Sequence, residues 1–317
     1  MKPTLSRLMM AVFLAPGLVI ASVADALPDP LTLERALQEL QRHPRADASV
    51  PIPRRPSLYL DCRQLAFSNS QLSDNNALAI DDVVVGPLGA QRLEVIKRFF
   101  DVLLADFSFA TESEAMAVAY VQYDRASARR ELGQLSELHV AELEAVYQDL
   151  LHRRVASEAS QQLARSLLAQ AMAADELPRN LTPPRLPEIP DDLPAREVWL
   201  AQVDRHAPDS APADASATSE AVLAERRQQV NELLLRLRVL GAAQQSVRVE
   251  SAWRDLKLDQ SRTLYELEVT ADLGYSMSQQ TRTRMREQRI GYCRALAWAE
   301  LHELIGQPLW IADTESP

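Results

Sequence analysis

The placement of proline constrains this chain more than any other feature. No proline lies between Pro87 and Pro178, and none lies between Pro212 and Pro308. Proline removes a backbone donor and clashes with the preceding turn, so these two runs of about 90 residues are free of the residue that breaks helix interiors. Both are predicted to be helical. The prolines at 178, 183, 184, 187, 190 and 194 predict a stiff extended connector, and His206 to Glu220 (HAPDSAPADASATSE) a soft, low-complexity one. The resulting division is 27–50 as a start helix, 51–88 as a β-hairpin or loop, and 89–175 as a first helical hairpin. It continues with 176–220 as a connector holding a second start helix, 221–308 as a second helical hairpin, and 309–317 as a tail.

Each helical run is punctuated near its middle. Arg92 to Leu132 is followed by Gly133, Gln134, Leu135 and Ser136, after which helical periodicity resumes to about Met172. Gly133 supplies an end cap and Ser136 a new N-cap. Val222 to Glu268 is followed by Val269, Thr270, Ala271 and Asp272, with Thr270 or Asp272 placed to cap an arm that runs to about Ile305. At roughly 1.5 Å per residue, arms of about 40 residues reach on the order of 60 Å, too long for a compact bundle. The fold class is therefore mainly α, with two long antiparallel hairpins and at most one β-hairpin. Apolar and small residues at Leu143, Val146, Leu150, Ala156, Ala159, Leu163 and Leu167, and at Val230, Leu234, Leu237 and Gly241, suggest the packing seams of an antiparallel coiled coil; a solvated bundle core has equal weight on spacing alone.

The two halves also look duplicated. Glu34 to His43 (ERALQELQRH) lies on Glu197 to His206 (EVWLAQVDRH), and Glu131-Leu132 before the first turn matches Glu266-Leu267 before the second. Between Pro51 and Leu88 the first half holds two β-prone runs, Ser57 to Phe67 and Ala77 to Gly86, around a Ser/Asn/Asp-rich turn. A β-hairpin is expected there, a covering loop being the alternative.

Composition narrows the function classes. A chain of 317 residues with 47% hydrophobic and 25% charged side chains excludes wholesale disorder, and a net charge of -10 with no basic stripe argues against a nucleic-acid partner. Lys2 and Arg7, the apolar run Leu8 to Ala21 and the small residues Ala24 and Ala26 read as a cleaved secretory signal over 1–26. The run is broken by Pro16 and Gly17 and is short for a membrane anchor. Cys62 and Cys293 would then share an oxidising space that permits a disulfide, although spacing does not establish one. No catalytic set, cofactor loop or metal-ligand spacing is present: His43, His139, His152, His206 and His302 include no pair at i, i+4, and His302-Glu303 lacks a second histidine. An enzyme is the least supported class, and no cofactor or metal is expected.

Five stretches resemble the TolC outer-membrane efflux channel family: Leu31 to Pro44 (LTLERALQELQRHP), Arg92 to Asp106 (RLEVIKRFFDVLLAD), Leu132 to Glu142 (LGQLSELHVAE), Ser261 to Leu273 (SRTLYELEVTADL) and Ala295 to Leu309 (ALAWAELHELIGQPL). The resemblance implies a homotrimer whose hairpins form a periplasmic tube below an outer-membrane β-barrel, meeting a periplasmic adaptor and an inner-membrane transporter. The family's Gly-x-x-Ser-x-x-Asp tip is matched by Gly133, Ser136 and, in place of aspartate, His139, with Leu135 and Leu138 beside them. The second tip carries Thr270, Asp272 and Leu273. These tips are the expected adaptor-docking residues, and capping by itself also explains Ser136, Thr270 and Asp272. The family builds a barrel from four strands per protomer, where this chain offers one hairpin. A second reading follows, a periplasmic helical interaction protein derived from the family without a pore.

Overall fold

A computed structural model describes residues 27–38, 40, 43–45, 54–67, 83–206, 216–267 and 273–311. The expected signal segment, the 77–82 part of the second β-prone run, and Thr270 and Asp272 lie outside these residues. Seven helices follow in order: α1 (Leu33–Leu37), α2 (Cys62–Phe67), α3 (Pro87–Glu131), α4 (Glu137–Met172), α5 (Arg196–Arg205), α6 (Ser216–Glu266) and α7 (Leu273–Ile305). The mainly α fold with two long hairpins is thus observed, and no strand forms among the described residues.

The first hairpin turn is made by local chemistry. Pro87 occupies the first turn of α3, where its missing N–H costs nothing, and Arg129 and Arg130 close the last turn beside the negative end of the helix dipole. Gly133 takes a left-handed φ of 72°. The N–H of Gln134 donates to the Arg129 carbonyl and that of Gly133 to Arg130, a paired closure that satisfies the last turn's carbonyls. Ser136 then caps α4, its Oγ accepting from the His139 N–H at 3.3 Å. At the other end of α4 the same closure falls on Ala173, at φ 54°.

The seams differ in part from the sequence expectation. On α4 the inward positions are Val140, Leu143, Tyr147, Leu150, Arg154, Ser157, Gln161, Ala164, Leu168 and Ala171, a strict 3-4 alternation. Leu143, Leu150 and Leu167 are covered as expected, whereas Val146, Ala156, Ala159 and Leu163 face outward. The reason is that Arg154, Ser157 and Gln161 occupy the middle of the seam, so apolar letters alone point to the wrong face. Arg154 stacks over Phe109 at 5.3 Å, and Gln161 and Arg165 both bind Asp106 across the hairpin. On α6 the buried seam runs through Val230, Leu233, Leu237, Leu240, Val247 and Leu258, leaving Leu234 and Gly241 half-covered at its margin. Polar pairs hold the outer half of this second hairpin, among them Ser261 with Ser276 at 2.8 Å and Arg286 with Glu250 at 3.4 Å.

Between the hairpins, α3 lies against α7, so the long helices form an open layer in the order α4, α3, α7, α6. Their heights are not equal. A Cβ on Gly274, the second residue of α7, would lie 3.0 Å from Cγ1 of Val118, which is thirteen residues short of the end of α3. The first hairpin therefore extends beyond the second by about ten residues, roughly 15 Å.

The run Ser57 to Phe67 is not a strand, which corrects the β-hairpin expectation. Its N–H groups are taken elsewhere: those of Leu58 and Tyr59 donate to the Asp101 carboxylate, and that of Leu60 to Ser57 Oγ. Asp61 then accepts from the Gln64 N–H at 3.2 Å and starts α2. Arg98, 1% exposed, bonds Glu94 at 2.8 Å, Asp101 at 3.3 Å and the carbonyls of Arg55 and Pro56, completing the clamp. In the second run, Val84 donates to the Gln229 side chain instead of to a partner strand. A disulfide joins Cys62 of α2 to Cys293 of α7, both buried. One isolated parallel bridge, Leu31 with Leu181, ties the segment before α1 to the proline-rich connector.

Candidate docking tips and lateral edges

The expected docking residues of the first hairpin stand together at its free end. Gly133 and Ser136 set the turn, as above. Leu138 is 71% exposed and the neighbouring Leu132 72%, while Leu135 is half-buried between them. Two leucines held in water at the end of an arm are costly unless another surface covers them. His139 lies 3.7 Å from Glu142, an ion pair when the imidazole is protonated. At the second tip Leu267 is equally exposed and Leu273 begins α7. Among the described residues, Leu267 and Leu273 lie lower than the turn at Gly133 and Ser136, and Thr270 and Asp272 lie outside the described residues.

Sequence reasoning missed the two lateral edges of the layer. On α6, Val239, Ala242, Ser246, Val249, Trp253 and Leu256 step by three and four along the side away from α7, and all are exposed, Leu256 at 71%. This is a second heptad seam on one helix, set two positions from the first, and that offset was its available signal. On α4 the outward apolar residues are Val146, Val155 and Leu163 with the small Ala156 and Ala159 between them. Over their whole lengths α4 carries five acids and three bases and α6 seven acids and eight bases, with Arg226 and Arg236 of α6 buried.

The roots of the hairpins are fixed by buried polar contacts. Arg236 pairs with Glu300 at 2.9 Å, and Arg92 with Glu303 at 3.0 Å. Burial pushes the Glu303 carboxyl above its ordinary value, with Arg92 acting in the opposite sense. The Tyr292 hydroxyl, whose ring stacks on Phe100 at 4.5 Å, is pushed up to about 12 by burial. Nearer the surface, the Arg227 guanidinium holds Asp204 below the usual carboxylate range through paired hydrogen bonds at 2.9 Å. Among the described residues no cluster of side chains is arranged to hold a metal ion, and no helix is long and apolar enough to cross a membrane.

No family model and no curated protein matches the chain. Solved structures do. Crystal structures of CusC, which follow its conformational changes on folding and transmembrane channel formation, match with a TM-score of 0.52 and 11% identity over 70% of this chain and 69% of that one. A membrane protein from Pseudomonas aeruginosa matches with a TM-score of 0.46 and 13% identity over 72% and 68%. The open state of the Neisseria gonorrhoeae MtrE outer membrane channel matches with 0.42 and 16% over 70% and 67%. The likeness to CusC shows a shared fold, and the chain has a TolC-like architecture.

Proposed function

We propose that this TolC-like chain is an outer-membrane efflux component, a homotrimer whose hairpins form a periplasmic conduit that docks an adaptor and an inner-membrane transporter for export. One observation carries the reading: the four long helices make an open layer whose end helices, α4 and α6, bear apolar residues on their outer sides that no described residue covers. An array with two different exposed edges closes on itself only by head-to-tail contact, α4 of one copy against α6 of the next, and such contacts make rings when the rotation closes. Ala156 and Ala159 on the α4 edge leave room for Val249, Trp253 and Leu256 of α6. Three copies would place twelve long helices around a central passage. The exposed leucines of the tips then face the periplasmic partner at the far end. Secretion by the N-terminal signal and residence at the outer membrane belong to the same reading.

The test is a disulfide trap across the edges. Leu163 and Val249 stand within about one helical turn of the same height, a level set by Asp106 opposite Gln161, Phe100 stacked on Tyr292 and Glu250 opposite Thr283. Leu163→Cys combined with Val249→Cys is expected to give a three-copy species on non-reducing gels, retained in outer membranes after a carbonate wash. A single-copy species released into the soluble periplasm would refute the conduit. The fate of Ser57 to Phe67, a clamped loop and helix where the family has a strand, favours the second reading in that event: a periplasmic helical interaction protein without a pore.

A further inference from the structure

Beside α6 runs a groove of about 770 Å³ that lies away from the tips and meets the edge seam at Ala242. One wall is the connector from Ile189 to Arg196, and the other is the strip of α6 from Asn231 to Arg248. Its volume falls in the range of small-molecule sites. The floor is apolar: Leu234 and Leu237 from α6 face Leu193 and the rings of Pro190 and Pro194. Its rim is cationic. Arg196, Arg238 and Arg248 line the groove and are exposed, and none has an ion pair or hydrogen bond among the described residues. A fourth, Arg294, is already engaged by Asp191 at 3.3 Å and by the Ile189 carbonyl at 3.1 Å, which pins the connector in place.

Only Asp191 and Asp192 oppose these four arginines, in a chain whose overall charge is -10. The groove concentrates positive charge against that background. The N-terminus of the ten-residue α5 opens on the same wall, where Ala195 occupies the cap position and no side chain satisfies the first N–H groups. An uncapped helix N-terminus and unpaired guanidinium groups favour the same ligand charge. The apolar floor sets the rest of the ligand.

We propose that this groove binds an anionic amphiphile, a molecule with a phosphate or carboxylate head held by Arg196, Arg238 and Arg248 and an apolar tail laid along Leu234, Leu237 and Leu193. Phosphate and carboxylate both suit the planar fork of arginine. The site stands on this chain's own residues and does not depend on the export reading.

The probe is dodecyl phosphate below its micelle concentration, titrated calorimetrically into the purified protein. Dodecyl maltoside and inorganic phosphate serve as the tail-only and head-only comparisons, and phosphatidylglycerol vesicles as the lipid source. Expected is saturable binding, one per chain, that is weakened about tenfold or more by Arg238→Ala with Arg248→Ala, both exposed side chains whose loss leaves the helical signal unchanged. Binding of dodecyl phosphate alone assigns a free amphiphile, and added retention on the vesicles assigns a lipid; either upholds the proposal. Equal binding of dodecyl maltoside, binding of inorganic phosphate just as tight, or indifference to the double substitution overturns it. So does affinity that falls as protein concentration rises, which would mean that a second copy fills the groove.

Discussion

At the scale of single residues, the structure places several side chains under stated strain or burial. Ala173 ends α4 in the left-handed region at φ 54°, where a Cβ is crowded and glycine is not. Ala173→Gly is expected to raise stability by about 1 kcal/mol, read as a shift of the urea midpoint with unchanged slope. Glu303 makes a second test. Its folded-state pKa is raised by burial, so the native protein holds that proton more tightly than the unfolded chain does. The resulting stabilisation is full below the ordinary carboxylate pKa and is lost as pH rises through the raised value. Glu303→Gln should remove this component, leaving the urea midpoint flatter than wild type as pH rises from the ordinary carboxylate range. A midpoint that falls equally in both proteins would show that the carboxyl titrates normally.

At the scale of elements, α2 has no hairpin partner and too few residues to persist alone, six from Cys62 to Phe67. It is held by packing and by the disulfide to Cys293, 231 positions away in the chain. Cys62→Ser with Cys293→Ser is expected to cost about 2–5 kcal/mol, measured as a fall in the unfolding midpoint that reductant reproduces in the wild type. The helices themselves should survive, because each long hairpin has its own seam and its own turn. Helix ends were legible in the sequence: Pro87, Gly133, Ser136 and Ile305 fall at or next to observed boundaries because caps and breakers act within one turn. The start of α2 was not read from the sequence, where Ser57 to Phe67 stands as a β-prone run, although Asp61 three residues before Gln64 caps it.

At the scale of the whole molecule, the unequal reach of the hairpins makes the two tips unequal. The first stands roughly 15 Å beyond the second and would meet an axial partner before it. Leu138→Asp or Gly133→Pro is therefore expected to abolish cross-linking to an adaptor with helicity retained, while Leu267→Asp weakens it far less. Equal loss from both tips, read in the same cross-linking assay and circular dichroism, would mean that partners engage the side of the layer and not its leading end. The overhang has no local signature, since the two arms of each hairpin look much alike in sequence. It arises where Gly274 lets α7 approach Val118, a contact between segments more than 150 residues apart.

The sequence by itself determined what depends on near neighbours: two proline-free helical runs, a turn at Gly133 and Ser136, an extended proline connector, and the absence of catalytic spacing. Capping, helix breaking and backbone stiffness are settled within a few residues, so they can be read in order along the chain. Tertiary structure alone decided which helix faces are covered, because Arg154, Ser157 and Gln161 are seam residues only once Phe109 and Asp106 lie across from them. It likewise decided the pairing of Cys62 with Cys293, the clamp on Ser57 to Tyr59 by Asp101, and the cationic groove between the connector and α6. Each of these joins groups far apart in sequence, and the free energy that selects such a contact exists only after the chain has closed the loop between them.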